Sequence, residues 1–183
     1  MSQDETKYVD NVILQKDLFK LYKDLISSRS WHLCRSTTPE DIEYGCFAGF
    51  IVKDGDQVHD AYWYGYFLSL FERINMRVYE KYNYRLSNNI QRIHLGAKNE
   101  MSRTDFHLDT DIAGHTSVVG FLTPVWSQKW SGAFQIEDET IEYTPGKFMI
   151  FNSDKLHDGT GPVTKIPYWK ISINYVVKNY EHG

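Results

Sequence analysis

The sequence predicts an α+β fold in which a double-sheet jelly roll or barrel is backed by helices from the N-terminal half. Apolar side chains recur at helical spacing in the first half, whereas the chain after Leu86 consists of strand-length segments between turn-rich pieces. Aromatic residues make up 15% of the chain, which is typical of large packed sheets around a pocket. We predict one domain over residues 1–183, with helical support at about 10–84 and a jelly-roll core at about 90–178.

Two helices and a hairpin are predicted in the first half. The first helix lies within VILQKDLFKLYKDLISS, residues 12–28, and Asp10 and Asn11 are its candidate N-caps. FIVKDGDQVH predicts a hairpin around Asp54 and Gly55. The second helix covers residues 61 to about 84, where apolar positions are so frequent that it is expected to be largely buried against a sheet.

The second half predicts antiparallel strands, because short apolar or alternating segments follow one another with turn residues between them. The final segment alternates strictly, with its apolar side chains on one face and its polar side chains on the other. The seven predicted strands are RIHLGA, FHLDTD, TSVVGFLTPVW, GAFQIED, TIEYT, KFMIFN and WKISINYVV.

Composition argues against several classes of function. The net charge is −4 and the basic residues are scattered singly, so the pattern gives no support to binding of a nucleic-acid backbone. Cys34 and Cys46 belong to no cluster typical of a zinc finger or disulfide framework. No apolar run approaches the roughly 18 residues of a membrane span. We therefore expect a cytoplasmic protein with no membrane contact.

Three residues form a candidate metal site. His107 and Asp109 lie two positions apart in FHLDTD, a spacing that places both side chains on one face of a strand. The pair alone occurs readily by chance, but His157 follows the strand KFMIFN and is expected at the same end of the sheet. Two imidazoles and one carboxylate are the facial ligand set of non-haem Fe(II).

The last predicted strand supplies a candidate anion site. Lys170 and Ser172 lie on the polar face of WKISINYVV, which we expect to line a cavity. A lysine inside a barrel is costly unless it meets an anion, and the distal carboxylate of a dicarboxylate cosubstrate would be such an anion. Ser172 is placed to add a hydrogen bond.

From residue 92 to 177 the sequence resembles the Fe(II)/2-oxoglutarate-dependent oxygenases, specifically the prolyl-4-hydroxylase-like branch in its small stand-alone bacterial and phage form. The resemblance rests on the His-x-Asp…His pattern, the strand TSVVGFLTPVW followed by Trp-Ser-Gly, the strand PGKFMIFN and the basic-x-Ser strand. It implies a double-stranded β-helix. It also implies hydroxylation of an unactivated C–H bond with O2 and 2-oxoglutarate, releasing succinate and carbon dioxide.

The resemblance assigns roles to individual residues. His107, Asp109 and His157 would bind Fe(II), and Lys170 and Ser172 would hold 2-oxoglutarate. His94 matches a position where relatives often place a tyrosine near the cosubstrate, so it is a further candidate cosubstrate-binding residue. Arg103, in the loop before the first ligand, is a candidate substrate contact. These seven residues are the predicted site.

The sequence departs from the family at three points. The stretch Trp130-Ser131-Gly132-Ala133 differs twice from the family's Trp-Gly-Gly-Glu, and Phe121 replaces a tyrosine that contacts the cosubstrate in some relatives. The basic residue is lysine rather than the commoner arginine. Retention of Asp109 favours hydroxylation over halogenation, because related halogenases lack this carboxylate.

Three functions remain open at this point. The first is hydroxylation of a protein side chain, most simply proline. The second is the same chemistry on a small molecule or nucleobase, although Val176 stands where nucleobase demethylases of this superfamily carry a second arginine. The third is a cupin-like metal-binding domain without oxygenase activity, or a zinc isomerase analogue. The sequence does not identify the substrate or the oligomeric state.

Overall fold

The computed structural model describes residues 5–33, 47–53, 55, 57–102 and 105–179. Cys34, Cys46 and Arg103 lie outside these ranges. A 3-10 turn spans Gln128–Trp130. The helices and strands are β1 Lys7–Val9, α1 Gln15–Ile26, β2 His32–Leu33, β3 Phe47–Lys53, β4 Gln57–Val58, α2 Ala61–Tyr82, β5 Ile90–Lys98, β6 His115–Phe121, β7 Phe134–Ile136, β8 Glu139–Ile141, β9 Phe148–Asn152, β10 His157–Gly159 and β11 Lys170–Lys178.

Two antiparallel sheets form the body of the fold. The larger sheet has the strand order β1-β9-β6-β11-β5-β3-β2, with β4 paired to β3, and the smaller sheet has the order β10-β7-β8. A bridge between His107 and His157 attaches the first ligand segment to the edge of the smaller sheet. The α+β jelly roll backed by N-terminal helices is thereby confirmed. The N-terminal half also contributes four strands, β1, β2, β3 and β4, to the larger sheet.

Helix α1 begins at Gln15 rather than directly after Asp10 and Asn11, so the predicted N-caps are wrong. Asn11 has a φ of 58°, and the chain after it buries Val12 and Ile13 before the helix starts. Leu14 occupies the N-cap position without a side-chain cap. Burial of two apolar side chains thus outweighs the local capping preference.

Helix α2 follows the predicted span and is capped by Asp60, whose side chain accepts a hydrogen bond from the backbone N–H of Trp63. It ends at Tyr82 because Asn83 adopts a left-handed conformation with a φ of 58°. One face packs on the larger sheet, where the Tyr175 hydroxyl of β11 donates to the carbonyl of Phe67 at 2.9 Å. The expectation of a largely buried helix is wrong for its other face, which exposes Tyr62, Met76 and Tyr79.

The strand predictions hold best in the centre of the larger sheet. RIHLGA, KFMIFN and WKISINYVV correspond to β5, β9 and β11, and the predicted hairpin appears as β3 and β4 with Lys53 paired to Gln57. TSVVGFLTPVW pairs only as far as Phe121, shortly before Pro124, which lacks a backbone donor. FHLDTD forms a single bridge instead of a strand, and β10 was not predicted.

Apolar side chains divide between the two faces of the larger sheet. Ile171, Ile173 and Tyr175 face the helices in the main core. A second cluster lies between the sheets and includes Phe121 and Phe134. No helix in the described part of the chain is long and apolar enough to cross a membrane.

Candidate metal centre and cosubstrate pocket

The three predicted ligands converge in the structure. One ligand atom from each of His107, Asp109 and His157 lies within 4.8 Å of the others. The backbone fixes this arrangement, because the N–H of His107 donates to the carbonyl of His157 and the N–H of His157 donates to that of His107, each at 3.0 Å. The N–H of Asp109 donates to the carbonyl of Ser153 at 3.1 Å. The ligand segment is therefore held against two neighbouring segments of the jelly roll.

Backbone carbonyls set the tautomer of both histidines. Nδ1 of His107 lies 3.0 Å from the carbonyl oxygen of Asp105, and Nδ1 of His157 lies 2.9 Å from that of Lys155. A carbonyl only accepts, so each Nδ1 carries the proton and each Nε2 keeps its lone pair for a metal. Burial lowers the pKa of His157, which favours the neutral form that binds metals.

Asp109 is held by donors from three strands. The Nδ2 atom of Asn174 lies 2.8 Å from each carboxylate oxygen, and the Ser117 hydroxyl donates to Oδ2 at 2.5 Å. Arg92 forms an ion pair with Oδ1. Burial opposes ionisation, but Arg92, His157 and the hydrogen bonds hold the pKa of Asp109 below its ordinary value. The carboxylate is thus both charged and fixed in orientation.

His94 lies on the same face of β5 as Arg92 and opposite Asn174 of β11. Its ring contacts Phe50, with 5.9 Å between the ring centroids. Burial and the neighbouring Arg92 lower the pKa of His94 to about 3, so this imidazole is neutral. Its Nδ1 is buried and has no hydrogen-bond partner within the described residues. His94 therefore presents an unused polar atom beside the metal ligands.

Lys170 lies on the face of β11 that also carries Asn174, four residues before it in the strand. Its side chain is only 4% exposed, and Nζ donates to the carbonyl of Thr160 at 2.5 Å and lies 5.4 Å from the centroid of the Tyr143 ring. Burial lowers the pKa of Lys170 well below its ordinary value. A carboxylate ligand would restore the charged form.

One face of β11 joins the two ends of the site. Lys170, Ser172 and Asn174 project in the same direction, and four residues of strand span about 13 Å. Gly96 faces Ser172 across the β5 pairing, and a Cβ at Gly96 would lie 3.5 Å from the Ser172 hydroxyl. Phe121 of β6 lies opposite Ser172 on the other side. One face of β11 therefore leads from the metal ligands to the buried amine of Lys170.

No family model and no curated protein sequence matches this chain. Several solved structures, however, have a similar fold. An oxidoreductase of the 2OG-Fe(II) oxygenase family from Burkholderia pseudomallei superposes with a TM-score of 0.66 at 15% identity, covering 96% of this chain and 84% of that one. The chain has the fold of these oxygenases.

Two prolyl hydroxylases show the same likeness. The prolyl-4-hydroxylase of Pseudomonas putida matches with a TM-score of 0.64 at 13% identity, covering 94% of this chain and 92% of that one. The prolyl hydroxylase of Trichoplax adhaerens, in complex with a peptide fragment of the hypoxia-inducible factor oxygen degradation domain, gives 0.62 and 14%, covering 95% and 83%. The predicted resemblance to the prolyl-4-hydroxylase-like branch is confirmed at the level of the fold.

Within this oxygenase fold, the structure places six of the seven predicted site residues in one region. His107, Asp109 and His157 lie at one end beside His94, and Ser172 leads to Lys170 at the other. The seventh, Arg103, is outside the described residues.

Sequence reasoning missed the donors that hold Asp109. Arg92 and His94 share a face of β5 at period-two spacing, so the alternation in RIHLGA indicated that Arg92 faces inward. Asn174 lay on the predicted polar face of the last strand. What the sequence did not contain is the strand order that places β5, β11 and β6 side by side around one carboxylate.

Proposed function

We propose that the protein is an Fe(II)- and 2-oxoglutarate-dependent dioxygenase that hydroxylates an unactivated C–H bond and releases succinate and carbon dioxide. The observation that carries the proposal is the convergence of His107, Asp109 and His157 inside the oxygenase fold. Two inward Nε2 atoms and one carboxylate fit Fe(II) in number and chemical type. When bound, Fe(II) and 2-oxoglutarate supply the chemistry that places one atom of O2 in succinate and the other in the product.

The chain's own residues hold this centre in place. The carbonyls of Asp105 and Lys155 orient the two imidazoles, and Asn174 and Ser117 orient the carboxylate. The Phe134 ring stacks on His157 with 5.5 Å between centroids, and it shields that imidazole from water. The site is thus organised before the metal arrives.

The pocket residues fit a 2-oxo dicarboxylate. In our proposal the Lys170 ammonium pairs with its distal carboxylate and Ser172 adds a hydrogen bond, while His94 lies beside the 2-oxo acid end. The support is the buried amine of Lys170. Burial lowers its pKa, and a carboxylate bound beside it would stabilise the charged ammonium form. The buried Nδ1 of His94, which has no hydrogen-bond partner among the described residues, supports the assignment of His94 as a cosubstrate-binding residue.

As substrate we propose a protein side chain, most simply proline. The support is the likeness to two prolyl hydroxylases, one of them in complex with a peptide. A small-molecule target is the alternative, whereas nucleic acid is disfavoured by the net charge of −4. A cytoplasmic location and Arg103 as a substrate contact also stay predictions.

The first experiment tests the chelate. Purified protein is mixed with Fe(II) and 2-oxoglutarate under argon, and the weak visible charge-transfer band is recorded. His107→Ala should lose the band, and His59→Ala, which removes an exposed histidine, should keep it. A wild-type protein that binds metal but shows no band would favour a cupin-like domain without oxygenase activity.

The second experiment tests turnover and substrate class. Candidate peptides and metabolites are incubated with O2 and the Fe(II) and 2-oxoglutarate-loaded protein, and mass spectrometry records products that gain one oxygen atom. Oxidised peptides support the protein-side-chain assignment, whereas oxidised metabolites alone support the alternative. A product that persists in His107→Ala would refute the assigned iron site.

A further inference from the structure

A second lysine lies beside Lys170 on the neighbouring strand. Lys98 is the last residue of β5 and lies directly opposite Lys170 in the antiparallel register with β11. Directly opposed residues of antiparallel strands project from the same face of the sheet, so both side chains point toward the segment that contains Gly159 and Thr160. The Lys98 side chain is 17% exposed.

The amines of both lysines donate to one short segment. Lys170 donates to the carbonyl of Thr160 at 2.5 Å, and Lys98 donates to the carbonyl of Gly159. Asp158 of the same segment lies 3.8 Å from Nζ of Lys98. The two lysines therefore contact the same backbone segment, residues 158–160, which directly follows His157 in the chain.

Glycines hold this segment close to the strand ends. A Cβ at Gly161 would lie 2.4 Å from the carbonyl oxygen of Asn99, immediately after β5. A Cβ at Gly159 would lie 3.1 Å from the Phe134 ring and 3.7 Å from Nζ of Lys170. The absence of side chains at these positions brings the backbone against both strands and leaves room beside the ammonium groups.

Two basic side chains, Lys98 and Lys170, and one acidic side chain, Asp158, lie together at this end of the strands. Burial is the main cause that lowers the pKa of Lys170, and the neighbouring Lys98 lowers it as well, whereas Asp158 raises it. A carboxylate placed between two ammonium groups forms charge-assisted hydrogen bonds with both, which are stronger than neutral ones.

We propose that Lys98 is a second cosubstrate-binding residue, and that Lys98 and Lys170 together bind the distal carboxylate of 2-oxoglutarate. Asp158 positions Lys98 through its ion pair. The inference rests on the proposed function, because it concerns the same pocket and the same cosubstrate.

Direct binding tests this assignment. Fe(II)-loaded protein is titrated calorimetrically under argon with 2-oxoglutarate and with 2-oxopentanoate, which has the same 2-oxo acid end and no distal carboxylate. Lys98→Met should weaken 2-oxoglutarate binding on the order of tenfold and leave 2-oxopentanoate binding unchanged, since the lost contact is a charged hydrogen bond. Lys98→Arg, which keeps the charge, should recover most of the preference for the dicarboxylate.

Lys165→Met is the matched control, because it removes the same charge from an exposed position between β10 and β11. If Lys98→Met does not melt cooperatively, Lys98→Gln takes its place. Equal weakening of both ligands, or unchanged affinity for 2-oxoglutarate, would overturn the role of Lys98 and leave the proposed function standing. A wild-type protein that does not prefer 2-oxoglutarate would overturn both.

Discussion

The orientation of one carboxylate depends on donors from three strands. Asp109 accepts hydrogen bonds from Ser117 of β6 and Asn174 of β11 and forms an ion pair with Arg92 of β5. Backbone hydrogen bonds to His157 and Ser153 place its segment, and the side-chain donors then orient the carboxylate. These donors therefore orient the carboxylate of Asp109, just as the backbone carbonyls orient the two imidazoles.

Asn174→Ala should weaken metal binding by roughly 10-fold to 100-fold, because it removes the donor that contacts both oxygens of Asp109. Calorimetric titration with Mn(II), a redox-stable probe for the Fe(II) site, measures the change. Asn89→Ala, at an exposed asparagine before β5, is the control and should bind Mn(II) like the wild type. Equal Mn(II) affinity in the two variants would show that the Asn174 contact has no part in metal binding.

The buried amine of Lys170 makes cosubstrate affinity depend on pH. Burial favours the neutral amine, so the pKa of Lys170 in the ligand-free protein is well below 10.5. A bound carboxylate favours the ammonium and raises that pKa, so binding takes up a proton at any pH between the two values. Among the described residues, Lys98 from β5, Asp158 from β10 and the Tyr143 ring face this amine.

We therefore expect affinity for 2-oxoglutarate to fall as pH rises through the ligand-free pKa of Lys170, by at most about tenfold per pH unit for one coupled proton. Calorimetry in buffers of different ionisation enthalpy measures the proton uptake directly. Lys170→Arg should remove the pH dependence, since a guanidinium stays charged. A pH dependence that survives in Lys170→Arg would assign the proton to another group.

At the scale of elements, the central strands were predictable and the ligand segment was not. The period-two alternation of WKISINYVV correctly separates the buried side chains of Ile171 and Ile173 from the polar face that carries Lys170. FHLDTD has the same local pattern, but it meets its partner at one bridge only. The pairing partners of a segment are a property of the tertiary fold, and local alternation does not specify them.

Gly120 lies where β6 and β9 pack closely against each other. It pairs with Phe148, and a Cβ at Gly120 would lie 2.1 Å from Cε1 of that fully buried ring. Because the alanine methyl group would overlap this buried ring, Gly120→Ala should destabilise the protein by about 1 to 3 kcal/mol. Urea unfolding followed by circular dichroism measures the difference.

Gly65→Ala is the contrasting variant. Gly65 is exposed in the second turn of α2, and a Cβ there would meet no heavy atom within 4 Å in the described part of the chain. Alanine should therefore stabilise the protein by about 0.5 to 1 kcal/mol. Loss of stability in Gly65→Ala together with unchanged stability in Gly120→Ala would contradict the packing described for both elements.

For the whole molecule, the site joins segments that are distant in the chain. The jelly roll brings the segment of His107 and Asp109 onto β10, and β11 of the larger sheet contacts the same carboxylate through Asn174. A metal bound here links the smaller sheet to the larger one. Since the unfolded chain does not hold these ligands together, binding favours the folded state.

Metal addition should therefore raise the thermal stability of the whole protein. At a free metal concentration 100 times the dissociation constant the gain is about 2.7 kcal/mol, and EDTA should reverse it. Differential scanning calorimetry with and without Mn(II) measures the shift in Tm. His107→Ala should unfold at the same temperature with and without Mn(II), whereas His59→Ala should respond like the wild type, because His59 is exposed and outside the ligand set. A Tm increase that persists in His107→Ala would place the stabilising metal at a different site on the molecule.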